Sequence, residues 1–382
     1  MAGLAVLTAR EVRARRLARH GLTAPVTERT PAGAVAAMHG AQAQVPSAAE
    51  LSVALRVPGA TRTTVREALT GRSLTRTLGP RGTIHLLPTR DLTTWLGALG
   101  AVPARSPFTD EVRLSPGQAD AVVAAVGEAL LARGELTLTE LDEEVAARAG
   151  AWAGDLVMPA FQGFWPRWRQ AVGRAAHAGV LVFGAGRGRQ VTYTHPCRQD
   201  PGFRPLPADE ALPRFLHGYL HAFGPATPED LARWLNAPLA WTQRLFATDR
   251  VERVDADGRV AWVNAGDTAP TRLGRSVRLL PYFDALPIGF QPREQLFPGR
   301  AAERALARGQ AGNYPVLLVD GVVRGVWHLR RSGRYVDVTV ETWEDLSATR
   351  QRALDAQVAR VGEILEAVPR LTLGPVTVGP HA

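Results

Sequence analysis

One local pattern recurs three times along the chain and limits what it can fold into. Segments with helix-period apolar spacing are followed by a short apolar strand, a turn rich in Gly, Pro or Arg, and a short returning strand. Such a unit can bury its apolar stripes only as a small helical cluster backed by a two-stranded wing. This is the winged helix, a relative of the helix-turn-helix. The spacing between copies is irregular, which excludes a solenoid. The competing reading is a generic α+β protein with incidental hairpins.

The first copy opens with a helix near 8–20 and a second over about 33–43. Ser47-Ala-Ala-Glu50 reads as a capping box for a third helix, and Thr61 to Leu69 as a fourth. Leu74–Leu78 and Thr83–Leu87 flank the turn Gly79-Pro80-Arg81-Gly82 as a wing. The second copy starts at Ser115-Pro116, with helices over 116–133 and 138–149. Phe161, Trp165, Trp168, Val172 and Ala175 repeat at helical spacing and predict a third helix; strands at 181–183 and 191–194 flank the loop Gly184–Arg189. The third copy has helices at 208–223, from Thr227 and at 241–246, then a hairpin turning at Asp257-Gly258. Beyond 277, alternating segments separated by Asp320-Gly321 and Ser332-Gly333 predict a small antiparallel sheet or barrel, closed by a helix over 345–367. The last fifteen residues lack periodicity and read as loose. The expected fold is α+β: three tandem winged helices (1–110, 111–205, 206–275) and a C-terminal β unit with its helix (276–382).

Charge narrows the partner. The net charge is +9, and all 45 basic side chains are Arg. A polyanion is favoured, with the planar guanidinium suited to phosphate, although GC-rich coding also enriches Arg. Without Lys, a DNA backbone lyase would have only the N-terminal amine for a Schiff base, so a glycosylase here is expected to lack lyase activity. Lone Cys197 permits no internal disulfide, and no apolar run is long enough to span a bilayer. The N-terminus lacks the order of a secretory signal, so a cytoplasmic, nucleoid-associated protein is expected.

The chemistry-bearing candidate is Met38-His-Gly-Ala-Gln42-Ala-Gln44-Val-Pro46. Two Gln residues flanking a small residue at a helix end can point both amides into one cavity, each offering a donor and an acceptor. By themselves they fit a solvated helix end better. The segment resembles the Gln–apolar–Gln motif of the AlkZ-like winged-helix DNA glycosylases. Arg81-Gly-Thr-Ile-His85-Leu, Pro281-Tyr-Phe-Asp284 and Val326-Trp-His-Leu-Arg-Arg331 are similar to further segments of that family, so the resemblance spans nearly the whole chain.

The resemblance implies a C-shaped arrangement of the winged helices around DNA, and hydrolysis of the N-glycosidic bond of N7- or N3-alkylated purines, including bulky natural-product adducts and interstrand crosslinks. It assigns Gln42 and Gln44 the catalytic positions. An alkylated purine is already cationic and leaves neutral, so the site must place water and stabilise an oxocarbenium-like sugar, for which two amides suffice. DNA contacts are expected from Arg62, Arg66, Arg76, Arg81, His85, Arg187, Arg189 and Arg259. Most glycosylases flip the target base, but a crosslinked base requires an open cleft, with a hairpin at Gly186–Arg189 or Asp257–Arg259 entering a groove. His217 and His221 are i, i+4 on one helix, but no third ligand type accompanies them, so no metal and no cofactor is expected. The partner is double-stranded DNA carrying alkylated purines, and the protein is expected to be a monomer without membrane contact. Two other readings stand: a non-enzymatic winged-helix regulator, and a protein that binds lesions without excising them.

Overall fold

The computed structural model describes residues 3–103, 107–160 and 162–381. The chain opens with β1 (Ala5–Leu7) and α1 (Ala9–Arg19). The first repeat follows as α2 (Pro31–Ala37), β2 (Ala41–Gln42), α3 (Pro46–Ala54), α4 (Arg62–Thr70), β3 (Leu74–Leu78), β4 (Ile84–Pro88) and α5 (Leu92–Gly100). The second is α6 (Pro116–Arg133), β5 (Leu136–Thr137), α7 (Leu138–Ala149), β6 (Leu156–Pro159), β7 (Phe164–Pro166), α8 (Val172–His177), β8 (Val182–Phe183) and β9 (Thr192–Thr194). The third is α9 (Ala208–Phe223), α10 (Pro228–Leu235), α11 (Leu239–Phe246), β10 (Val251–Ala256) and β11 (Arg259–Asn264). The rest comprises β12 (Val277–Leu280), α12 (Ala285–Gly289), α13 (Arg300–Ala305), β13 (Val316–Val319), β14 (Val322–Ser332), β15 (Tyr335–Thr342), α14 (Ala348–Leu365) and β16 (Val368–Leu373). No described helix is long and apolar enough to cross a membrane.

Local chemistry sets five of these helix starts. Thr8, Thr61, Ser115, Thr137 and Thr227 each cap a helix through a reciprocal box with the residue three positions on. The Ser47–Glu50 box does not form. Helix α3 begins at Pro46 behind Val45, and Glu50 instead accepts Arg66 at 2.7 and 3.0 Å.

The first two repeats each contain a strand that the sequence pattern did not reveal. Sheet orders β2-β4-β3 and β5-β9-β8 place a two-residue strand beside the wing, and a bridge from Ala226 to Trp262 holds that place in the third repeat. Two residues are too few to show a period of two, so these strands leave no signal in the sequence.

Four further expectations are corrected. The helix read through Phe161, Trp165, Trp168, Val172 and Ala175 is instead the β6–β7 hairpin, a short 3₁₀ turn and α8; Phe161 itself lies outside the described residues. Trp168 is buried with its indole N–H donating to Asp142, whereas Trp165 is exposed on a strand. The C-terminal sheet, ordered β12-β13-β14-β15-β16, stays open rather than closing into a barrel. The last residues are not loose: β16 pairs parallel to β15, and Val376 N–H donates to Glu341. Finally, the N-terminal segment leaves the first repeat. β1 pairs parallel with β10, and the buried Arg16 of α1 donates to the carbonyls of Phe223, Pro225 and Gln291 at 2.6–2.8 Å.

The first repeat is welded to its neighbours. Met38, Leu51 and Val65 share one apolar core with Val277, Trp327, Val338 and Ile364 of the C-terminal unit. Trp95 of α5 shares another with Phe215, Tyr219 and Trp234 of the third repeat. A fully buried ion pair joins the residue just past α3 to the start of α12: Arg56 Nη1 and Nη2 donate to Asp284 at 2.8 and 2.9 Å, and Ser52 Oγ of α3 adds 2.7 Å. Burial acts to raise the Asp284 pKa, but Arg56 and Ser52 outweigh it and hold the carboxyl below its usual value. The Pro281–Asp284 resemblance segment is thus structural. Asp284→Ala should strand the Arg56 charge and lower unfolding stability by about 3–5 kcal/mol, measured by urea denaturation. An unchanged midpoint would show the pair to be dispensable.

Candidate functional site

The glutamine pair is placed by a chain reversal. Helix α2 stops at Met38, and His39 and Gly40 take positive φ of 51° and 90°. A Cβ on Gly40 would meet Trp95 at 3.2 Å and Leu87 at 3.3 Å, so both the dihedral and the space require glycine. The chain leaves this bend extended. Ala41 and Ala43 turn into the core, each 2% exposed, which puts Gln42 and Gln44 together on the opposite face. The expectation of a fraying helix end is corrected: strand alternation, not helix unwinding, sets the two amides side by side. Gln42 lies opposite His85 of β4, and Ala43 N–H donates to Ile84 O at 2.7 Å.

Both amides are oriented through their oxygens. Arg81 Nη2 donates to Gln42 Oε1 at 3.3 Å, and Ile84 N–H donates to Gln44 Oε1 at 3.4 Å. Each carbonyl oxygen keeps a second lone pair. Arg81 stands in the wing turn at φ 61°, and its Nη1 donates to Trp234 O at 2.5 Å, satisfying a carbonyl in the last turn of α10. Solvent reaches Arg81, yet the protein around it crowds it enough for desolvation to lower its pKa. His85 is buried, with Nδ1 2.9 Å from Thr83 O. Desolvation brings its pKa down to about 4, against a smaller opposing effect of the Thr83 carbonyl and with help from Arg81. The ring is therefore neutral at pH 7; Nδ1–H donates to Thr83 O and Nε2 keeps its lone pair.

Of the other sequence-derived contacts, most are engaged within the protein. Arg62 pairs with Glu366, Arg66 with Glu50, Arg187 with Glu140, and Arg259 with Asp230. Arg76 lies 4.7 Å over the Phe183 ring, joining the first wing to the second repeat. Arg189 stays exposed at the tip of the 184–189 loop. Only Arg81 and His85 gather at the glutamines. Beside Arg81, a cleft of about 590 Å³ opens between the first wing, His177 and the residues 235–239 that join α10 to α11. Among the described residues, no cluster of three or more His, Cys, Asp or Glu could hold a metal.

Three units of helices backed by two-stranded wings, in series, define a DNA-handling protein. The family model for AlkZ-like DNA glycosylases matches residues 35–364. A protein of Streptomyces sahachiroi described as an interstrand DNA cross-link repair glycosylase is 30% identical over 365 residues, covering 92% of this chain and 95% of that protein. The solved structure of the Streptomyces sahachiroi DNA glycosylase AlkZ superposes with a TM-score of 0.80 at 26% identity, over 96% of this chain and all of that one. The chain belongs to the AlkZ-like family and is a DNA glycosylase, an enzyme that hydrolyses N-glycosidic bonds in DNA.

Proposed function

We propose that Gln42 and Gln44 are the catalytic pair, and that the enzyme releases N7- or N3-alkylated purines from duplex DNA, bulky adducts and interstrand crosslinks among them. One observation supports this above the rest: two uncharged amides share a face, each held by its oxygen, with a neutral imidazole as cross-strand neighbour. Alkylation makes the purine cationic. When the C1′–N9 bond breaks, its electron pair neutralises the ring, so no acid is needed to protonate the leaving group. Water adds to C1′ and loses its proton to solvent. The free lone pairs on Gln42 and Gln44 can hold that water and face the positive sugar with the negative ends of two dipoles. The crosslink part of the reading follows the description of the Streptomyces sahachiroi relative, and the cleft beside Arg81 has room for more than a single base.

The test uses duplexes carrying one 7-methylguanine, or one interstrand crosslink between guanine N7 atoms. Free modified base should appear in the first case and separated strands in the second. Strand breaks should form only after heating in alkali, because no Lys is available for a Schiff base. Release from neither duplex would end the reading; breaks without alkali would end its monofunctional part.

A further inference from the structure

The third repeat holds a cavity that the chemistry of base release does not use. It encloses about 490 Å³ between α9, α11, the turn after α11 and the ends of the β10–β11 wing. Gln42, Gln44, Arg81 and His85 are not among the residues that line it. Its inner wall is apolar, built from Leu212, Pro213, Leu216, Leu245 and Val251. Leu216 belongs to the core around Trp95 and Trp234, and Leu212, Leu245 and Val251 pack against that core, so the wall is preformed. Polar groups are few. Pro213 stands inside α9 without an N–H, so Asp209 O receives no helical bond from it. Asn264 is buried at the lining; its amide donates to His217 O at 3.1 Å and keeps a second N–H. The rim is cationic. Arg214, Arg244 and Arg250 share it and are all exposed, against the single carboxylate of Asp209. Arg214 is met only by Glu210, at 3.7 Å. Among the described residues, no ion pair or side-chain hydrogen bond holds Arg244 or Arg250.

We propose that this cavity binds a small organic anion: an apolar ring or chain lies against Leu216, Leu245 and Val251, and its carboxylate or sulfonate meets Arg244 and Arg250 at the rim. The volume falls in the range of ligand pockets, about 300–1,000 Å³, and the lining has their composition, mostly apolar with a few placed polar groups. A DNA phosphate satisfies the rim and leaves the apolar wall unused; a neutral apolar molecule fills the wall and leaves the cations unmatched. An amphiphilic anion uses both, because guanidinium N–H groups pair with anionic oxygens while burial of the apolar body supplies affinity. The occupant ties the helices of the repeat to its wing, since Val251 opens β10 and Asn264 closes β11. The site is separate from the glutamine pair, and its test requires no catalysis.

The probe is anilinonaphthalene sulfonate, compared with phenylnaphthylamine, the same ring system without the sulfonate. Fluorescence titration of the full chain should give one saturable site for the sulfonate and about tenfold weaker binding of the neutral amine, the difference made by hydrogen bonds to a charged group. Joint substitution of Arg244→Gln and Arg250→Gln changes two exposed side chains without a partner. It should weaken the sulfonate about tenfold and leave the amine unchanged. Thr248→Trp places an indole in the cavity and should weaken both probes, with its melting temperature measured as a check on folding. Equal affinity for the two probes, or sulfonate binding that is unchanged by the joint substitution, overturns the proposal. Full sulfonate binding in that variant, together with weaker binding of undamaged duplex DNA, overturns it in favour of phosphate contacts by the same arginines.

Discussion

Gln42→Ala is expected to slow single-turnover base release by about 10²–10³-fold while DNA binding changes little, the size of effect seen when one preorganised polar group is removed from a charge-stabilising site. The fold should survive. Gln42 is a half-buried side chain whose only side-chain hydrogen bond among the described residues is with Arg81, and Arg81 keeps its bond to Trp234 O. Gln44→Ala should give a similar loss of rate. Its removal also leaves Ile84 N–H without an acceptor, at an exposed edge where water can replace it. If the two amides hold one water, the double variant should be barely slower than the worse single one, because groups acting as a unit are not additive. Wild-type rates in Gln42→Ala would remove this strand from the chemistry. Lesion-independent binding to one undamaged sequence, indifferent to the same change, would point back to a regulator.

The protein should lose stability from about pH 6.5 downward, before its carboxylates titrate. Four histidines are held neutral: desolvation brings His20 and His39 down to about 3, and His85 and His177 to about 4. Each depressed value means that unfolding takes up a proton. The stabilising contribution is complete above the unfolded value near 6.5 and is lost as pH falls through the window down to the folded values. Near pH 5, four protons per unfolding event give a slope of up to about 5 kcal/mol per pH unit. Urea midpoints between pH 7.5 and 5 measure this, and a flat profile would refute it. His20 offers a control. Its ring is fully buried and packs edge-on to Phe223 at 5.1 Å. His20→Leu should remove one proton's share of the slope.

His39 shows why the same residues carry fold and site together. Its ring lies 4.5 Å from Trp95 and 5.6 Å from Trp234. It therefore packs the joint between the first and third repeats at the bend that launches β2. The Arg81–Trp234 bond crosses the same joint from the wing. Loosening the third repeat thus disturbs the orientation of Gln42 without touching it.

What the sequence determined by itself was part of what acts within a few residues. Helices 116–133 and 138–149 stand where capping residues put them, 208–223 stands where 3.6-residue spacing put it, and Asp257-Gly258 turns its hairpin with positive φ at both positions. The Gln-Ala-Gln string was legible as a motif. Its geometry was not, because a two-residue strand has no period to read and takes its register from β4, more than forty residues away. Tertiary structure alone decided which cations are free. Arg62, Arg66, Arg187 and Arg259 stood beside Arg81 as expected DNA contacts, and each found an acid once the chain folded. Ion pairing depends on distances of a few ångströms between elements far apart along the chain, and local residue patterns carry no record of those distances.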